Sequence, residues 1–207
     1  MKVGLVSGTG QNSRVAAGEI EKELNRQKIA PLFHFEVPPD IPDYQTTAER
    51  IREFRPDSLT LCLQAPALFK LLKALQRNGI DCPLLLPWVP GVQAKELQAI
   101  YNGTLYMVEP FQPPNQAKDG GIYQTFSREF EKRYGLSPSY SAAYAYDAAQ
   151  MIILSIRSKG LNRAGIRRGL EELTGYEGVS GPIIWDNGGG NLGHPVIKKY
   201  RNSTSTK

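Results

Sequence analysis

The stretch Tyr140-Ser-Ala-Ala-Tyr-Ala-Tyr-Asp-Ala-Ala-Gln-Met-Ile-Ile-Leu-Ser-Ile-Arg157, closed by Ser158, Lys159 and Gly160, constrains this chain more than any other. At about 100° per residue it reads as a helix whose polar stripe carries Asp147, Gln150, Arg157 and Ser158. The apolar positions run from Met151 through Ala148, Ile152, Ala145, Ile156, Ala149 and Ile153 to Tyr146. They span an arc of roughly 220°, interrupted by Ser155, and Leu154 intrudes on the polar stripe. An ordinary surface helix is apolar over about half that width. Leaving about five of the larger side chains in water forfeits on the order of 1.5–3 kcal/mol each, in sum comparable with the roughly 5–15 kcal/mol that holds a domain together. The pattern predicts a helix packed on two sides.

Around that helix, 207 residues with 41% hydrophobic and 22% charged side chains suit one large globular domain or two small ones. No run approaches the roughly 18 apolar residues of a membrane span. Met1-Lys2-Val3 enters a strand pattern directly instead of an export signal, so either the protein stays in the cytoplasm or a signal, with more besides, has been removed. The net charge of +5 is mild. Its basic residues are spread over helix faces (Lys70, Lys73 and Arg77; Arg163, Arg167 and Arg168) without aromatic interleaving, so nucleic acid is not an expected partner. Cys62 and Cys82, at opposite ends of neighbouring strands, are expected as buried thiols and not as a bridge.

In chain order, Lys2–Ser7 reads as a short apolar strand, followed by a polar loop and a helix from about Arg14 to Gln27. Pro31–Val37 is a second strand, and Tyr44–Phe54 a helix with Asp43 as its N-cap. Ser58–Leu63 is a third strand, and Ala67–Asn78 a helix ended by Gly79. Pro83–Leu86 and Gly103–Val108 are further strands, with a short helix Gln93–Tyr101 between them. Apolar strands alternating with amphipathic helices call for an α/β fold, a parallel sheet covered by helices on both faces through right-handed crossovers. Ligands in such sheets sit beyond the carboxyl ends of the strands, here the loops Ser7–Ser13, Gln64–Pro66 and Pro87–Gly91. After Pro114 come three helices, Gly121–Tyr134, the helix from Tyr140, and Asn162–Leu173, with no sheet of their own. A final strand, Pro195–Tyr200, follows. Asp186-Asn-Gly-Gly-Gly190 reads as a hairpin turn.

The residues Lys2-Val-Gly-Leu-Val6, Asp43-Tyr44, Arg55-Pro-Asp57, Phe126 to Tyr134-Gly135 with Pro138, Ala142-Ala-Tyr-Ala-Tyr-Asp-Ala148, and Gly178-Val-Ser-Gly-Pro-Ile with Trp185-Asp186 and Gly188 occur in this order over nearly the whole chain. In this combination the chain resembles the leucine/isoleucine/valine-binding proteins of bacterial ABC transporters, which have the type I periplasmic-binding fold. The resemblance implies that residues 1–111 are a second ligand-binding lobe, 112–193 a helical return normally packed on a first lobe, and 194–207 a strand crossing back with its tail. The family has an entire first lobe ahead of the strand that opens this sequence, so the resemblance implies one side of a two-sided cleft and gives the two-sided helix its missing partner.

The resemblance also implies ligand contacts after the first, third and fourth strands of the lobe, at positions matched here by Asn12, Gln64 and Trp88. The family's aromatic, aromatic and carboxylate are all replaced, so a free amino-acid ammonium would enter without its charge partner. An amide, an aromatic, or another neutral or anionic small molecule fits these side chains better. Gln11 and Tyr140 complete the candidate ligand-binding set. For Trp88 two readings stay open, a cleft wall or a plug between Pro87 and Pro90.

Gly8-Thr-Gly-Gln-Asn-Ser13 between strand and helix permits a dinucleotide phosphate, but Ser13 stands where a third glycine belongs, and a tight turn is the simpler account. His34 and His194 have no second ligand at metal spacing, and no acid–histidine pair for catalysis emerges. No metal or other cofactor is expected. The reading is a non-enzymatic solute-binding protein that closes two lobes around a small molecule and presents the closed form to an ABC permease, periplasmic or extracellular by resemblance. A cytoplasmic ligand sensor of the same fold is the alternative, with a nucleotide-dependent enzyme third. With its first lobe absent, the chain is expected to cover the Tyr146–Ile156 helix by forming a homodimer.

Overall fold

A computed structural model describes residues 1–87, 89–112, 121–193 and 195–201. The chain divides into two compact units, one of Met1–Glu109 with Ile197–Lys207, the other of Pro110–Val196.

The first unit is built on the sheet order β2-β1-β3-β4-β5-β8. The strands are β1 (Val3–Gly8), β2 (Phe33–Val37), β3 (Ser58–Cys62), β4 (Leu84–Leu86), β5 (Leu105–Glu109) and β8 (Val196–Tyr200). Strands β1 to β5 pair in parallel, with Val6 opposite Phe35 on one side and Leu61 on the other. From β1 the chain steps outward to β2, then returns across the sheet to β3, β4 and β5. Right-handed crossovers therefore place the first helix on one face and the later ones on the other. This is how the core divides. Helix α1 (Gln11–Arg26) buries Ala17 against Leu5 and Cys62. Helices α2 (Gln45–Phe54), α3 (Ala65–Arg77) and α4 (Ala94–Gln98) bury Ile51, Leu68, Leu71, Leu75 and Leu97 against Val6, Leu59, Leu61, Leu84, Leu86 and Leu105. Both faces of β1 are thus apolar and covered, as its continuous hydrophobic run requires.

Several helix starts differ from the expected ones, and α1 opens three residues early, at Gln11 instead of about Arg14. Helix α3 begins two residues early, because Pro66 fits the first turn, where no backbone N–H is needed. Asp43 lies one residue before the N-cap Tyr44, and its side chain accepts the N–H of Gln45 at 3.1 Å.

The second unit holds α5 (Ile122–Tyr134), α6 (Tyr140–Lys159) and α7 (Arg163–Glu172). Contrary to expectation it has a sheet of its own, the antiparallel pair β6 (Tyr176–Gly178) and β7 (Gly181–Ile183). Three-residue strands carrying Gly and Pro give no alternation to read. The Asp186 hairpin forms as expected, with Asp186 accepting the N–H groups of Gly188 and Gly190 at 2.8 and 2.7 Å.

Helix α6 corrects the sequence reading most. Its buried line is Ala143, Asp147, Met151 and Ser155, so the aspartate assigned to the polar stripe and the serine that broke the apolar arc both face inward. Asp147, 2% exposed, accepts the backbone N–H of Val179 and of Ser180 at 2.8 Å each, and the Ser180 hydroxyl at 2.5 Å. Ser155 returns its hydroxyl to the Met151 carbonyl at 2.8 Å and packs on Gly169 of α7, where a Cβ would stand 2.6 Å from the serine Cβ. Tyr146, Ala148, Ala149, Ile152 and Ile153 are exposed. Of the fourteen large hydrophobic side chains exposed among the described residues, ten belong to this unit.

Candidate functional site

Strands β1 and β3 are neighbours, and the chain leaves them in opposite directions, which makes the space beyond their carboxyl ends the topological switch point of the sheet. Beyond Gly8 the extended residue Gly10 (φ −71°, ψ 151°) caps α1 without a side-chain hydrogen bond. Gln64 (φ −77°, ψ 162°) caps α3 in the same way after β3. Neither first turn carries an acidic residue. The adjacent strand ends therefore present two helix N-termini whose backbone donors have no side-chain cap, with the amides of Gln11, Asn12 and Gln64 exposed beside them. Such a surface can donate to a carbonyl, carboxylate or similar acceptor.

The sequence candidates divide accordingly. Gln11 and Asn12 open α1 beyond β1, and Gln64 caps α3 beyond the neighbouring β3. Trp88, two residues beyond the last residue of β4 in the sequence, lies outside the described residues. Tyr140 belongs to the other unit, at the first position of α6, where its ring meets Phe111 edge-on at 4.9 Å.

Two carboxylates sit at strand ends, and both are committed. Glu36 on β2 pairs with Arg14 of α1 at 3.0 Å. Glu109, buried at the end of β5, pairs with Lys198 at 2.5 Å and accepts the hydroxyl of Tyr200, holding β8 at the sheet edge. Burial, with this hydrogen bond second, pushes the Tyr200 phenol well above its usual range.

One constellation was not foreseen. His34 on β2 meets Ser7 Oγ through Nε2 at 2.8 Å and Glu21 Oε1 through Nδ1 at 2.9 Å, tying α1 to β1 and β2. The order matches a serine hydrolase relay, but Ser7 is fully buried, so no substrate can reach its oxygen. The partners lie 27 and 13 residues from His34, too far apart for any sequence motif. Among the described residues no group of three His, Cys, Asp or Glu side chains could hold a metal ion. Among the described residues no helix is long and apolar enough to cross a membrane.

The carboxyl ends of β1 and β3 thus form a switch-point surface on a parallel α/β sheet. The sequence profile of the family described as periplasmic binding protein matches residues 1–197, and the chain belongs to this family. No curated protein matches the chain. Among solved structures, leucine-binding protein LivK from Thermotoga maritima MSB8 superposes with a TM-score of 0.79 at 18% identity, covering 97% of this chain and 57% of that one. An ABC transporter solute-binding protein from R. palustris in complex with benzoate gives a TM-score of 0.80 at 14% identity, covering 97% and 56%. Another, the ABC transporter substrate-binding protein of Desulfitobacterium hafniense in complex with Leu, gives 0.73 at 20% identity, covering 97% and 58%. The chain thus spans somewhat more than half the length of the proteins it resembles.

Proposed function

We propose that this chain forms one side of the solute cleft of an ABC transporter binding protein, acting without catalysis. The observation that carries the reading is the pair of uncapped helix N-termini beyond β1 and β3, at the switch point of a lobe of this family. In this reading residues 1–111 are the second lobe and 112–193 the return that packs on a first lobe. The inverted burial of α6 supports it, because a helix that turns Asp147 inward and Ile152 outward has its apolar side set for another surface. The partners are a small solute and a permease, in the periplasm or outside the cell, with no role for nucleic acid.

The ligand class follows from charge. Glu36 and Glu109 are already paired, while the crevice offers amide and backbone donors, so the solute is neutral or anionic on this side: an amide, an aromatic acid or a similar acceptor-bearing molecule. With a single side of the cleft contributing contacts and water not excluded, leucine binds more weakly than roughly 1 mM, about −4 kcal/mol. Calorimetric titration with leucine and benzoate tests this. Micromolar leucine binding by the chain alone contradicts it.

A further inference from the structure

Within the solute-binding reading, on which this step rests, we propose that Ser13 selects a carboxylate on the solute, its hydroxyl donating to one oxygen and its backbone N–H to the other. Ser13 is the third residue of α1 and is 3% exposed. A buried hydroxyl without a partner is costly, and a helical serine often returns its own to the carbonyl one turn back, as buried Ser155 does at 2.8 Å. Among the described residues the Ser13 hydroxyl has no hydrogen-bond partner. Its oxygen is nevertheless not sealed from the surface. A polar group that the fold buries without a partner, yet leaves within reach, is set for an acceptor from outside.

The helix sets the direction of that hydroxyl, because side chains leave an α-helix tilted toward its N-terminus. The Ser13 oxygen comes closer than its β-carbon to the space beside Gly8, 3.1 against 3.4 Å from where a Cβ on Gly8 would stand, and Leu63 bounds the same space at 3.7 Å. Gly8 ends β1 and Leu63 follows β3, each one step past the paired Ser7 and Cys62, so the hydroxyl lies between the two strand ends. The main chain adds a second donor. The first bond inside α1 runs from the Arg14 N–H to the Gly10 carbonyl at 3.0 Å, which leaves the Ser13 N–H without an acceptor in its own helix, and Gly10 has no side chain to supply one. Both donors face the positive end of the helix dipole. Two donors on one residue match the two oxygens of a carboxylate, whereas a neutral amide brings one acceptor oxygen and no charge, and an ammonium brings no acceptor.

Titration of the ¹⁵N-labelled chain and of Ser13→Ala with benzoate and with benzamide, read at the backbone amides of Gln11 and Asn12, decides the matter, with thermal unfolding of both proteins alongside. The expected result is a half-saturating benzoate concentration raised about tenfold in Ser13→Ala and a smaller change with benzamide. The melting temperature should stay within about 1–2 °C of the parent or rise, because the variant removes a hydroxyl that bonds to nothing in the fold. Benzoate binding unchanged in Ser13→Ala overturns the role of Ser13 and leaves the solute-binding reading standing. Equal losses for benzoate and benzamide overturn the choice of a carboxylate. A melting temperature lowered by more than about 5 °C makes the hydroxyl structural and overturns the role as well. Absence of any benzoate shift at these amides in the parent chain removes the solute-binding reading itself, and the role of Ser13 with it.

Discussion

Asp147 and Val179 are joined across 32 residues by a 2.8 Å hydrogen bond from a backbone N–H to a buried carboxylate, and this contact locks α6 to the turn between β6 and β7. Gly178 makes the approach possible, since a Cβ there would stand 2.4 Å from the Asp147 carboxylate oxygen. Replacing Asp147 with alanine strands two backbone donors and a hydroxyl, and is expected to cost the second unit about 3 kcal/mol. Gly178→Ala should also destabilise. Urea unfolding followed by Trp185 fluorescence in a Trp88→Phe background measures both.

The inverted burial of α6 gives a contrast within one turn. Met151→Ala removes a buried side chain and should cost about 2–4 kcal/mol. Ile152→Ala, at a site 42% exposed, should stay within about 1 kcal/mol of the parent. Equal losses in thermal unfolding would contradict the assignment of the helix faces.

The cysteines set a pH dependence. Burial pushes the Cys62 thiol up to about 12 and the Cys82 thiol to about 11, from an ordinary value near 9. Thiols held protonated in the fold but free to ionise when unfolded favour the folded state fully below pH 9, and that contribution is lost as pH rises through the folded values. Stability should therefore fall from about pH 9 toward 12. At pH 8 both thiols should resist an aromatic disulfide reagent until urea unfolds the chain.

Gln64 caps α3 without a side-chain hydrogen bond and is exposed, so the proposed solute contact carries no cost to the fold. Gln64→Ala is expected to leave the melting temperature within about 1–2 °C of the parent. Any benzoate response at the α3 N-terminus should weaken in the same variant. A large loss of stability would make the side chain structural and remove it from the site.

The lobe was legible because each of its elements announces itself locally. The buried runs at Val3–Gly8 and Ser58–Cys62, the apolar spacing of Leu68, Leu71, Leu72 and Leu75, and the glycine after Asn78 need no distant partner to be read. The switch point followed from strand order, and with it the places of Gln11, Asn12 and Gln64. What escaped depends on pairs far apart in the chain. A helical wheel shows that Ile152 is apolar and Asp147 charged, but not that the backbone donors at 179 and 180 make the carboxylate side the inner one. The Ser7, His34 and Glu21 contact is of the same kind, assembled by the parallel register of β1 with β2 and the lie of α1.

The central claim, that the carboxyl ends of β1 and β3 form a solute-binding face for acceptor-bearing molecules, is tested most directly by following every backbone amide of the ¹⁵N-labelled chain while benzoate, and separately benzylamine, is added. The predicted result is a weak, saturable benzoate shift concentrated at Gln11, Asn12 and the first turn of α3, with no matching response to benzylamine. Benzoate shifts scattered over the chain, or a benzylamine response at those same amides as strong as that to benzoate, would contradict it.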